Sequence, residues 1–329
     1  MTRSGWIAVV PACAVFGAIL AGALGAAKDA PDRTKAAKLM RDGNWKEALD
    51  QFQALALDPK DEADKVGEDL TSAVACLANL GRQKEMDEFA EKVIAAHGGN
   101  WRLLEAAALV YFQAPHYGTI VAGEFERGQH RGDGRYVNSY ERDRARALQL
   151  MEQALAPAGA DRKAAAAAGC YSNLSHILIG QRGYGEAWRL QYRTDLAALP
   201  DYDEPAYAWG GESARGAPVG PDGQPVYHRM PESWHQAASD GERWRWALAE
   251  AAEDGADAWA RFELAAFLHR QFGVQTLAEY RWFFGREAES DEGRKDESGT
   301  WALHTLGEQE TIAKLATGIK RFQLPDEFN

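Results

Sequence analysis

Between Phe125 and Arg146 the chain carries Arg127, His130, Arg131, Arg135, Arg142, Arg144 and Arg146, with Tyr136, Asn138 and Tyr140 interleaved. A planar guanidinium pairs with carboxylate or phosphate through two parallel hydrogen bonds, so this clustering could receive an acidic group. The same stretch holds Glu126, Asp133, Glu141 and Asp143, which could neutralise it within one loop. Surface pairs of that kind form at little gain, about 0–1 kcal/mol each, so both readings stay open. Arg127, His130, Arg131, Arg135 and Tyr136 are the candidate partner-binding residues of this stretch.

A second candidate is Asp201-Tyr202-Asp203-Glu204, followed by Tyr207, Trp209, Tyr227 and Trp234. Carboxylates beside aromatic platforms are what glycan binding or glycoside cleavage uses, one acid protonating and the other assisting. Nothing in the spacing fixes two carboxylates at a working separation, and an acidic loop reads the same way. Tyr202, Trp209 and Trp234 are the candidate binding residues here. The eight histidines form no helical HxxxH pair and have no cysteine at ligand spacing, so no metal site is expected. With no G-x-S-x-G elbow, phosphate loop or dinucleotide fingerprint, no catalytic or cofactor-binding residue is assigned.

The elements that must position these groups read as helices in repeating pairs. Gly43-Asn44-Trp45-Lys46-Glu47-Ala48, then Phe52, Leu55 and Pro59, resembles the turn and second helix of a tetratricopeptide repeat, with Ala36 and Leu39 on the preceding helix. Leu70, Ala73, Val74 and Leu77, the turn Gly81, then Met86, Ala90 and Val93 form a second copy. Its spacing from the first is close to the repeat length of about 34. A third runs through Tyr171, Leu174, Ser175 and Leu178 to Gly183-Tyr184-Gly185-Glu186-Ala187 and Pro200. Small residues stand where two helices must approach closely, and an aromatic fills the space beside them. Leu104, Ala107, Ala108 and Tyr111, then Ala147, Met151 and Ala154, give two more helical faces.

The connection from Pro115 to Tyr140, about 25 residues, exceeds the usual 2–8 between helices and is expected to be an insertion. From residue 201 to 234, prolines and glycines exclude helix, and Gly220-Pro221-Asp222-Gly223 could turn a small hairpin. Helix is expected to resume at the capping box of Ser239 and Glu242. Trp244, Ala247, Leu248 and Ala251 form one stripe, and Phe262, Ala265, Leu268 and Phe272 another. Gly285 to Gly299 reads as a charged loop. The spacing of Ile312, Leu315, Ile319 and Phe322 predicts a last amphipathic helix with nothing after it to cover its apolar face, which a longer polypeptide could supply.

Met1-Thr2-Arg3, the apolar run from Trp6 to Leu24 and small residues through Ala27 read as a cleaved export signal. The alternative is an uncleaved anchor, since the run approaches the ~20 residues that span a bilayer. A net charge of −12 makes nucleic acid a poor partner. Cys76 and Cys170 lie among apolar neighbours and are expected as two buried thiols, a bridge being the alternative.

The expected fold is therefore all-α, a tetratricopeptide-like α-solenoid of antiparallel helix pairs with two long loop insertions. Its parts are a signal at 1–27, repeats over 28–200 with the insertion at 115–140, a loop insertion at 201–234 and a C-terminal helical segment at 235–329.

Trp45 to Phe52, Val121 to Gly132, Gly183 to Gln191 and Thr317 to Phe322 together resemble the helical N-terminal region of bacterial alpha-2-macroglobulin-like secreted proteins. That resemblance implies β-sandwich domains beyond this chain and, in trapping members, a Cys-Gly-Glu-Gln thioester that captures proteases. Neither Cys76 nor Cys170 sits in such a motif. The first functional expectation is a non-catalytic extracytoplasmic scaffold for a protein or peptide partner. The second is the leading segment of a protease-trapping inhibitor, with proteases as partners. The third is a glycan-active enzyme using the 201–234 loop. No cofactor is expected, and membrane contact only through an uncleaved N-terminal segment.

Overall fold

Two turn glycines close the first two helix pairs in the same way. Helix α1 (Arg33–Arg41) starts on Asp32, whose Oδ1 accepts the amides of Thr34 at 2.8 Å and Lys35 at 3.3 Å. It ends at Gly43, φ 78°, where the Gly43 amide donates to Met40 O and the Asn44 amide to Leu39 O. Helix α3 (Val66–Asn79) ends identically at Gly81, φ 67°, with Gly81 donating to Ala78 O and Arg82 to Leu77 O. Both are Schellman closures, which need a left-handed residue that glycine adopts without a Cβ penalty.

In this computed structural model the described residues are 31–161, 165–180, 190–204, 219–270, 307–315 and 317–326. They are mostly helical, with a small sheet. After α1 come α2 (Trp45–Ala56), α3, α4 (Met86–Ala96), α5 (Trp101–Gln113), α6 (Tyr140–Ala160), α7 (Ala165–Ile179), α8 (Asp240–Ala251) and α9 (Asp257–Arg270). Helices α1–α2, α2–α3, α3–α4, α3–α5, α5–α6, α6–α7, α7–α8 and α8–α9 pack against one another. The alanines predicted to sit at close approaches do so: Ala36, Ala48, Ala73, Ala90, Ala107, Ala147 and Ala154 are fully buried. Cys76 and Cys170 are buried free thiols, and burial pushes both above the usual thiol range. No described helix is long and apolar enough to cross a membrane.

The connection after α5 is not a loop. Residues Tyr117–Val121 (β1), Glu124–Arg127 (β2) and Arg135–Asn138 (β3) form an antiparallel sheet of order β2-β1-β3. β1 and β2 turn through Ala122 (φ 51°) and Gly123 (φ 90°), the left-handed pair a two-residue hairpin requires. Alanine is strained there by roughly 1–2 kcal/mol. Ala122→Asn is accordingly expected to stabilise the chain by about 1 kcal/mol, read as a rise in thermal midpoint; a fall would contradict the turn geometry.

Further expectations are corrected. Residues predicted as the last amphipathic helix form a hairpin, β4 (Glu310–Leu315) and β5 (Gly318–Gln323). Its register pairs Thr311 with Phe322 and Leu315 with Gly318, so Leu315 and Phe322 share one face and pack with Val219, Tyr227 and Leu324. A spacing of 3, 4 and 3 cannot separate a helical stripe from two strands folded at Gly318. Among the described residues, then, this segment is not wholly helical, and the fold is mostly helical with two small sheets rather than all-α.

In α9 the buried residues are Ala260 and Phe267, whereas Phe262 is 68% exposed. The apolar residues predicted as its inner stripe include ones that face outward.

Elsewhere expectation and structure agree. Ser239 Oγ caps the Glu242 amide at 3.2 Å, and Trp244, Ala247, Leu248 and Ala251 are buried. Val219 and Pro225 form an isolated bridge across the predicted turn. Residues 1–27, the Gly183–Ala187 motif, Tyr207, Trp209, Phe272 and the loop from Gly285 to Gly299 lie outside the described residues.

Candidate functional site

The sheet turns one face to the helices, and Arg127 at the end of β2 is the residue that joins them. The residue is 3% exposed. Nη2 donates to Asp87 Oδ1 on α4 at 2.8 Å and to Asp143 Oδ1 on α6 at 2.7 Å; Nη1 donates to Asp143 Oδ2 and Pro115 O, both at 2.8 Å. Asp143 also accepts from Ser139 Oγ at 2.7 Å and lies 2.9 Å from His116 Nδ1.

Burial would raise the Asp143 carboxyl, but its hydrogen bonds from Arg127, His116 and Ser139 hold it below the usual carboxylate range. At Asp87 burial wins: Arg127 opposes it only in part, the Asp143 and Glu91 carboxylates add to it, and the pKa is raised. One turn along α4, Glu91 accepts Arg146 Nε at 2.8 Å, Arg146 Nη2 at 2.7 Å and the Tyr111 hydroxyl at 2.8 Å.

Beside this charged floor stands an aromatic wall. In β1, Gly118 leaves room for the Phe125 ring; a Cβ there would collide with that ring and with the Glu126 carbonyl. Tyr202 stacks on Phe125, ring centroids 4.6 Å apart and planes 23° apart. The Arg142 guanidinium lies 4.8 Å from the Tyr202 centroid, while its Nη1 donates to Pro200 O at 2.8 Å. Burial raises the Tyr202 phenol. Asp87, Glu91, Tyr111, Phe125, Arg142 and Tyr202 thus line an open cleft of about 340 Å³.

The residues predicted from sequence divide. Arg127 lines the cleft but is buried in its floor, its donors held by Asp87, Asp143 and Pro115 O. Trp234 lies away from the cleft: it is 2% exposed, its Nε1 donates to Glu152 at 2.7 Å, and Arg243 lies 4.6 Å from its ring centroid. His130 is half-buried against Glu126, Nδ1 to Oε2 2.9 Å. Arg131, Arg135 and Tyr136 are exposed, and neither arginine makes an ion pair with a described carboxylate. Tyr136 is 47% exposed and lies near Tyr117, rings 6.2 Å apart.

Tyr202 alone of the second group enters the cleft; Trp209 is outside the described residues. Asp87, Glu91 and Tyr111 were missed. Their signal was an acidic pair at i and i+4 on α4, which reads as solvated unless a partner arginine is known to face it.

Comparison of the chain with family models, with curated proteins and with solved structures finds no match.

Proposed function

We propose that the chain is a non-catalytic, extracytoplasmic scaffold of tetratricopeptide-like helix pairs that holds a protein or peptide partner in the cleft between β2, α4 and α6. The observation that carries this reading is the pair of Phe125 and Arg142, an aromatic face and a guanidinium bridged by Tyr202, beside a floor whose Asp87, Glu91 and Asp143 carboxylates are already engaged by arginines. Aromatic and arginine anchors are the residue types that dominate binding energy at interfaces. The identical Schellman closures at Gly43 and Gly81 and the packing of successive helices support the repeat assignment. Arg3 and the apolar run after it support export.

Peptides selected from a displayed random library on the parent protein provide the test. Their affinity, measured by calorimetry, is expected to fall at least 10-fold, about 1.4 kcal/mol, in Phe125→Ala and in Arg142→Ala. Unchanged affinity in both variants, each with a native circular dichroism spectrum, would contradict the site.

A further inference from the structure

Residues 199–204 run along one side of the cleft, which Leu199 and Tyr202 line, as a strap held at three points. The Asn138 amide donates to Asp203 O at 2.9 Å and the Asp203 amide to Asn138 O at 3.0 Å, a single antiparallel bridge on the edge of β3 that β1 does not use. The Tyr202 ring lies on Phe125, and Pro200 O accepts from Arg142. Asp201, Asp203 and Glu204 are exposed.

Resting on the binding reading above, we infer that this strap is the site's built-in occupant, and that the partner is an extended acidic peptide with an aromatic residue. Such a peptide displaces Tyr202 from Phe125 and adds to the β3 edge at Asn138. The chemistry of the strap indicates the chemistry of what replaces it.

Backbone recognition on a strand edge supplies affinity, and a pocket for an alternate side chain supplies selection. In an antiparallel ladder the backbone groups of every second residue face the same edge, so those of Tyr136 face the side on which Asn138 meets Asp203. A peptide running past Asn138 therefore next meets the backbone of Tyr136, with Arg135 adjacent in the strand. Arg135 and Arg131, exposed and without a described carboxylate, give such a peptide opposite charges to face. The three carboxylates of the strap reach neither arginine, which leaves both open to those of an incoming peptide.

A strap that competes with the partner makes Tyr202→Ala a gain of binding, whereas a tyrosine that forms a fixed wall makes it a loss. A fluorescent peptide copying residues 199–204 is titrated by anisotropy against the full-length parent and full-length Tyr202→Ala. The variant is expected to bind at least 10-fold more tightly, and the gain to vanish when Phe125→Ala is added or the peptide's tyrosine is replaced by alanine. Hydrogen exchange at the Asn138 amide is expected to speed up in Tyr202→Ala. Should that variant not fold, Asp203→Pro, which removes one strap amide, is read the same way. Equal or weaker peptide binding in a folded variant, or an Asn138 amide as protected as in the parent, overturns the inference. Loss of library-peptide binding in Phe125→Ala and Arg142→Ala would still stand in that case, so the two readings fail separately.

Discussion

Arg127→Met is expected to destabilise the chain by about 3–5 kcal/mol, the cost of leaving buried carboxylates without their cation. Methionine keeps most of the side-chain volume, so the loss is one of charge rather than of packing. Asp87 would lose the guanidinium that partly offsets its burial, and Asp143 would keep only His116 and Ser139.

The pH dependence distinguishes this account from simple damage. In the variant both carboxyls are buried without Arg127, so their folded pKa values rise above the unfolded value. The penalty is then full above the raised folded pKa values and is relieved as pH falls through them toward the unfolded value and the groups protonate. In the parent Asp143 behaves oppositely: its depressed pKa contributes stability at neutral pH that is lost in acid. Denaturant melts of parent and variant from pH 7 to pH 4 should therefore converge toward acid. Adding Asp87→Asn and Asp143→Asn to Arg127→Met should recover much of the loss at pH 7. A loss independent of pH and of the added substitutions would mean that Arg127 acts through packing alone.

His228→Phe is expected to flatten the acid limb of the stability curve. The ring is 6% exposed, its Nδ1 has no hydrogen-bond partner, and it packs against Gly241 at the start of α8, with Phe267 of α9 5.6 Å away. Burial pushes its pKa down to about 3, the positive charge of Arg245 adds to the depression, and Asp240 opposes it. A folded pKa below the unfolded value near 6.5 means that the unfolded chain takes up the proton first. Stability is thus unaffected at pH 7 and declines between pH 6.5 and 3, by about 2 kcal/mol at pH 5 and roughly 4 kcal/mol near pH 3. Thermal midpoints should fall further from pH 7 to pH 5 in the parent than in His228→Phe. Parallel curves would place the acid sensitivity elsewhere.

What could be read from the sequence depended on how locally each feature is determined. Gly43 and Gly81 were legible because a left-handed closing residue is required by the helix end itself. Ala48 and Ala147 were legible because a close helix crossing excludes anything larger. Arg127 was not, since the carboxylates that bury it come from α4 and α6, and a sequence gives no sign that Asp87 faces a strand. The sheet was hidden by the same non-locality: β3 pairs with β1 across the β2 hairpin, and its tyrosines and arginines resemble those of a charged loop. At Ile312, Leu315, Ile319 and Phe322 the spacing fitted a helix, while the pairing of Leu315 and Phe322 with Val219 and Tyr227 lay far back in the chain. In the acidic loop Tyr202 was singled out as a glycan platform; in the structure it lies on Phe125, a contact that no local spacing announces.

Hydrogen exchange of the parent with and without a library-selected peptide tests most directly whether this cleft is where the partner sits. The account predicts that the changes in protection concentrate in residues 124–127, 138–146 and 199–204. Changes confined to α1–α3 or α9, with those three segments unaltered, would contradict it.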